Sequence, residues 1–213
     1  MLISSADYSP SLFQALGLDS EMQLTMSGIM NLAQLIGVTP AIFLLDRVGR
    51  RPLLLLGSLA MTISHIIVAC IVGTSLDNGW VGVAFILAYM FFFGLTWGPV
   101  PWSMPAEIFP STVRAKGVAM ATISNWFNNF VIGLMTPPFV QRSPWGAFCF
   151  FAVFSAGSGV WAYVAVPETT GRGLEEMDKV WGDDEGTRDR VLLEDVVRRL
   201  EGEGAVVKID EKA

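Results

Sequence analysis

Gln34, Trp97, Trp102, Asn125, Trp126 and Asn129 are uncharged polar or aromatic residues set inside long apolar stretches. An amide offers both donors and acceptors, and an indole offers a flat apolar face with one donor. Together they suit a neutral ring carrying many hydroxyls, because each hydroxyl needs a polar partner while the C–H face of the ring needs an aromatic surface. A sugar has that chemistry. The same residue types also tie apolar helices together through interhelical hydrogen bonds, and tryptophans gather at membrane interfaces. The residues alone leave both roles open.

Nothing points to bond-breaking chemistry. There is no nucleophile elbow, phosphate loop, HExxH pair or paired carboxylate inside an apolar stretch. The expectation is a non-enzyme without cofactor, catalytic residue or metal site. Cys70 and Cys149 both fall in apolar stretches, where a thiol acts as a small hydrophobe, so no disulfide or metal framework is expected. His65 is alone in its stretch and reads as a packed, hydrogen-bonded histidine rather than a proton relay.

The elements that must position these residues are apolar helices. The chain has 213 residues, 52% hydrophobic and 16% charged, with a mean hydropathy of +0.50. That is too apolar for an ordinary soluble domain. Stretches of roughly the 20 residues needed to cross a bilayer recur between short polar breaks, without the alternation of a barrel strand. The fold class is an all-α membrane protein, embedded in the lipid bilayer with no nucleic-acid partner. Residues 1–16 read as a partial helix interrupted by Asp7 and Pro10, followed by spans at about 22–45, 53–74, 80–104, 117–140 and 147–166. Residues 167–213 form a polar tail that holds most of the acid behind the formal charge of −6. In it, Leu174, Met177 and Trp181 recur at helical spacing and predict a short amphipathic helix.

Within 80–104 the prolines Pro99 and Pro101 each remove a backbone donor, and Pro105 does the same just beyond. The helix must bend or open there. In lipid such a break survives only where other helices or a wet cavity satisfy the freed carbonyls. This span therefore lines something polar.

Charge falls at the helix ends. Asp46, Arg47, Arg50 and Arg51 follow one span, Glu107, Arg114 and Lys116 follow another, and Glu168 and Arg172 follow the last. These basic connections alternate with basic-poor ones near Gly17, Asp77 and Ser143. The alternation puts the basic ends and the tail in the cytoplasm. Opposite charges gathered there could latch the helices on that side, with Glu107, Arg50 and Arg114 as the leading candidates; the alternative is that they only enforce topology.

Four ordered motifs carry a resemblance: DRVGRRP, WGPVPWSMPAEIFPSTVRAKG, SNWFNNFVIGLMTPP and PETTGRGLEEMD. Together they resemble the carboxy-terminal six-helix half of a sugar porter of the major facilitator superfamily, with the flavour of the fungal hexose transporters. YSPSLFQALGL resembles the end of that family's seventh helix. The resemblance implies about five full transmembrane helices plus a partial first one, in a plasma membrane, with monosaccharide transport by alternating access. It implies that Trp102 and Asn125 contact the sugar, that Phe93, Gly98 and Trp126 line the site, and that Gln34 holds the polar position of the eighth helix. Tyr8 would belong to an outer gate. Asp46, Arg47, Arg50, Arg51, Glu107, Arg114 and Glu168 would form the cytoplasmic charge latch.

The sequence departs from the family where LISSAD stands in place of the QQxSGxN segment and Asp7 replaces a gate aromatic. The reading expects the amino terminus to lie within the membrane, so that the amino-terminal half is missing, including the first-helix carboxylate of proton-coupled members. The implied partners are a sugar, a separate amino-terminal half and, as coupling ion, protons. A fragment inactive by itself is the leading expectation. The alternatives are a non-transporting sugar sensor and a truncated gene product without function.

Overall fold

Gly49 ends one long helix and lets the next begin at once. The computed structural model describes residues 9–74, 79–109, 113–166, 191–192 and 194–199. Tyr8, Glu168 and the amphipathic pattern of the tail lie outside the described residues. Among those described, helices α1 (Ser9–Ala15), α2 (Ser20–Val48), α3 (Arg50–Thr74), α4 (Gly79–Leu95), α5 (Val100–Ile108), α6 (Arg114–Arg142) and α7 (Pro144–Ala165) follow in order.

The DRVGRR motif is not a loop in the usual sense. Asp46, Arg47 and Val48 complete α2, and Arg50 and Arg51 open α3. The reversal is possible because Gly49 adopts a φ of 99°, in a region L side chains rarely enter. Pro52 sits in the first turn of α3, where no intrahelical donor is required. Gly49→Ala is expected to destabilise the protein by roughly 1–2 kcal/mol through this backbone conformation, read as a fall in the melting temperature of the detergent-solubilised chain.

Four described segments are long and apolar enough to cross a membrane: α2, α3, the stretch Gly79–Ile108 containing α4 and α5, and α7. The 29-residue α6 is long enough but falls outside that group. Ser124, Asn125, Asn128 and Asn129 dilute its centre. It is the helix on which polar function would cost least in lipid exposure.

In the packing, α3 lies between α4 and α7, while α2 packs along α4; α6 borders both α5 and α7. The main core joins Phe13, Met30, Met61, Val68, Met90 and Phe148 from five helices. A smaller core at the basic end gathers Leu54, Val100, Met104, Ala162 and Val166. Lipid tails are as apolar as these side chains, so helix contact here depends on close fit rather than on water exclusion. The α2–α4 crossing shows that fit: a Cβ at Gly37 would overlap the carbonyl of Phe91, and one at Gly94 would overlap the carbonyl of Gln34. Each glycine thus admits the backbone of the opposite helix. His65, in α3, is packed as the sequence suggests, with Nδ1 2.9 Å from the Met61 carbonyl and its ring edge-on to Tyr89 at 4.4 Å.

Candidate functional site

The span at 80–104 opens between α4 and α5. The Gly98 N–H bonds the Phe93 carbonyl at 2.8 Å, one residue further back than in an α-helix, and the same carbonyl accepts from the Thr96 N–H at 3.1 Å. The helical ladder therefore widens by one residue before Pro99 and Pro101 restart it as α5. Thr96 Oγ1 donates to the Phe92 carbonyl at 2.7 Å, adding a second bond where the ladder loosens. These internal partners serve the Phe92 and Phe93 carbonyls, and the Val100 N–H serves that of Thr96 at 3.3 Å.

Beyond the break, α5 turns a proline- and tryptophan-bearing face toward α6. A cleft of about 500 Å3 lies there, lined by Pro101, Trp102 and Pro105 of α5, by Thr122, Asn125 and Asn128 among others of α6, and by Trp161 of α7. On α6 the lining positions Val118, Ala121, Thr122, Asn125 and Asn128 follow helical spacing, so they share one face. Trp102 is 55% exposed, leaving its ring face free toward the cleft. Asn128 spends one amide donor on the Ser124 carbonyl at 2.8 Å and keeps its other groups available. The cleft offers an aromatic face beside amides and hydroxyls, the combination suited to a neutral polyol.

The remaining candidates lie elsewhere. Trp126 is 54% exposed but points around the helix from Asn125 and is not part of the cleft lining. Phe93 is 6% exposed and belongs to the main core, where its carbonyl rather than its ring serves the break. Gly98 sits in the break itself. Gln34 is half-buried on α2, its carbonyl against Gly94, and Asn129 is buried on α6. The Trp97 indole N–H is already engaged, 2.9 Å from Ser58 Oγ and 3.1 Å from the Leu54 carbonyl. Asn128 could have been chosen from its i+3 spacing to Asn125; Trp161 had no local signal, because only the packing of α7 brings it to the cleft.

At the basic end, Arg50 reaches Glu107 with Nη2 3.0 Å from Oε1, Asp46 at 3.6 Å, and the Leu45 carbonyl at 2.9 Å. This joins the α2–α3 turn to the end of α5. Arg51 instead turns to α7, donating to the Tyr163 carbonyl with its guanidinium 5.2 Å above the Tyr163 ring. Arg114 donates from Nε to the Phe109 carbonyl at 3.1 Å, bracing the connection between α5 and α6. Arg47 is exposed.

With this geometry in view, comparison with known proteins is decisive. Residues 3–181 match the family described as sugar (and other) transporter. The chain belongs to this family. It is 36% identical over 176 residues to the major facilitator superfamily transporter mfsA of Aspergillus fumigatus, covering 82% of this chain and 32% of that protein. It is 34% identical over 181 residues to the sugar transporter STL1 of Saccharomyces cerevisiae, covering 82% and 31%. The chain thus spans about a third of the length of these relatives. Among solved structures it resembles the proton:xylose symporter XylE bound to 6-bromo-6-deoxy-D-glucose, with a TM-score of 0.74, 28% identity, and coverage of 83% of this chain and 38% of XylE. The inward-open form of XylE from E. coli matches with a TM-score of 0.68 and 27% identity, covering 80% of this chain and 40% of that one. The sugar transporter fold seen here is therefore a multi-pass, all-α membrane fold of the major facilitator type.

Proposed function

We propose that this chain is the carboxy-terminal half of a sugar porter and that its cleft forms one wall of a monosaccharide pathway operating by alternating access. The observation that carries this reading is the meeting of Trp102 and Asn125 in a single cleft of about 500 Å3. That volume lies within the range of about 300–1,000 Å3 usual for small-molecule sites. The tryptophan supplies the stacking face and the amide supplies the hydroxyl partner. Relatives named as sugar transporters, and a symporter structure holding a deoxyglucose derivative, support the substrate class.

On this reading the Arg50–Glu107 end faces the cytoplasm, by the rule that cytoplasmic loops retain basic residues, and residues 167–213 follow as a cytoplasmic tail in a plasma membrane protein. The charge contacts of Arg50 latch the helices on that side and are released when the bundle rocks. The missing wall comes from an amino-terminal half, in keeping with the share of its relatives that this chain spans. Protons are the coupling ion by analogy with the symporter it resembles.

Uptake of labelled glucose into a transport-null cell tests the reading. The chain alone is expected to give no uptake above background, and the chain fused behind the amino-terminal half of a relative is expected to restore it. Uptake by the chain alone would remove the need for a second half; a silent fusion that reaches the membrane would remove the transport reading. In the active fusion, Trp102→Ala and Asn125→Ala should each raise the half-saturation concentration about fivefold, the equivalent of roughly 1 kcal/mol of lost contact. Trp80→Ala, on an exposed tryptophan remote from the cleft lining, should leave it near the starting value. Equal effects from all three would return Trp102 and Asn125 to a purely structural role.

A further inference from the structure

Three contacts hold the break between α4 and α5 against α3, and none of them belongs to the cleft. The Trp97 indole N–H lies 3.1 Å from the Leu54 carbonyl and 2.9 Å from Ser58 Oγ. Between those two residues, Gly57 has no Cβ because the Thr96 side chain occupies its place. One turn of α3, from Leu54 to Ser58, therefore grips two successive residues of the break. Ser58 is itself fixed: it is 3% exposed, its Oγ donates to the Leu54 carbonyl at 2.8 Å, and it lies 3.4 Å from Ser158 Oγ of α7. Leu54 adds its side chain to the same core cluster as Val100.

The chain from this grip to Trp102 is short, with Gly98 alone between Trp97 and Pro99. Pro99 and Pro101 fix two of the intervening φ angles, Val100 is fully buried, and the Trp102 N–H bonds the Pro99 carbonyl at 3.1 Å. Val100 and Met104 are the buried residues of α5, and its far end is held by the Arg50–Glu107 contact. A displacement at Trp97 must therefore be carried to Trp102 rather than absorbed between them.

We infer that Ser58 is a positioning residue for the cleft: through its hydrogen bond to the Trp97 indole it pins the α4–α5 break to α3 and thereby sets where the Trp102 ring stands. The inference rests on the sugar-site reading of the cleft for its functional meaning, but the pin is a property of the fold. Ser58 acts at a distance, touching neither the cleft nor anything bound in it.

Fluorine NMR of the chain labelled with fluorotryptophan in lipid nanodiscs tests this without any ligand. Resonances of Trp97 and Trp102 are assigned by Trp→Phe variants. In Ser58→Ala, the Trp97 signal is expected to shift because its indole loses an acceptor, and the Trp102 signal is expected to shift by more than its own linewidth. Trp97→Phe should move the Trp102 signal in the same direction, and combining it with Ser58→Ala should add nothing, since the tryptophan change already removes the donor that Ser58 Oγ accepts from. Ser158→Ala, which touches Ser58 but not the indole, should leave Trp102 unmoved. The inference is overturned if Trp102 stays fixed while Trp97 shifts, if the two changes add, or if Ser158→Ala moves Trp102 as far as Ser58→Ala does. Melting curves for the same samples separate a local shift from general unfolding, and a melt lowered enough to broaden all tryptophan signals together also counts against a specific pin. Adding D-glucose to the fusion with an amino-terminal half addresses the other reading alone: a Trp102 signal that ignores glucose there weakens the sugar site and leaves the pin standing.

Discussion

Gly37→Ala is expected to be among the most destabilising single methyl additions to the described residues. The added Cβ would overlap the backbone carbonyl of Phe91, and neighbouring backbone atoms of α4 leave it no side room. A flexible side chain could yield, but a carbonyl inside a helix moves only with the whole helix. The penalty should exceed the roughly 1–3 kcal/mol typical of an extra methylene in a packed core, because α2 and α4 must separate along the length where Gly94 makes the reciprocal contact with Gln34. Gly28→Ala on the same helix is the matched control. Nothing lies within 4 Å of its Cβ position, so it should be neutral or stabilise by up to about 1 kcal/mol through helix propensity. Melting of the solubilised protein and the yield of monodisperse material decide between them. Equal behaviour of the two variants would mean that the α2–α4 crossing is not close-packed.

Arg50→Ala is the second large effect. The Arg50 side chain is 14% exposed and that of Glu107 is 27% exposed, with 3.0 Å between the bonded atoms. Removing the arginine leaves a carboxylate in a site built around a guanidinium and strips the Leu45 carbonyl of its donor. Breaking a buried ion pair from one side costs roughly 3–5 kcal/mol, and the partial exposure of Glu107 places this pair toward the lower end of that range. Arg50→Lys should recover only part of the loss, since one ammonium cannot reproduce the fork that reaches Leu45 and Glu107 at once. Combining Arg50→Ala with Glu107→Gln should cost less than the sum of the two, because their direct contact can be lost only once. Thermal melts of the four proteins give the coupling, and strict additivity would show that Arg50 and Glu107 do not interact.

The membrane class and the helical spans were legible because they follow from local composition: a residue's transfer into lipid depends on its own side chain and those of its neighbours in sequence. The proline break was legible for the same reason, since Pro99 and Pro101 lack their donors wherever the chain folds. Residue type already placed Asn125 and Trp102 in one candidate set, and the family resemblance gave them a shared role; the i+3 spacing of Asn125 to Asn128 would have marked one polar face of α6. Trp97 shows where local reasoning stops. Its type suits a site, yet its indole is engaged with α3, and Phe93, given to the site lining by the resemblance, packs in the core. The direction of a side chain is set by helix rotation, which depends on every neighbour at once.

The sequence by itself thus determined that the chain is a bundle of membrane helices with one broken span, a polar helix beside it, and charge collected at one end. Only the tertiary structure decided that the DRVGRR turn is a single glycine, that Arg50 rather than Arg51 or Arg114 meets Glu107, and that Trp161 joins the cleft. Hydropathy, proline and charge act within a few residues of chain, whereas close approach at Gly37 and Gly94, and the grip of Ser58 on Trp97, exist only once helices distant in sequence share a face. The position of the cleft follows from those approaches, and so it had to be read from the fold.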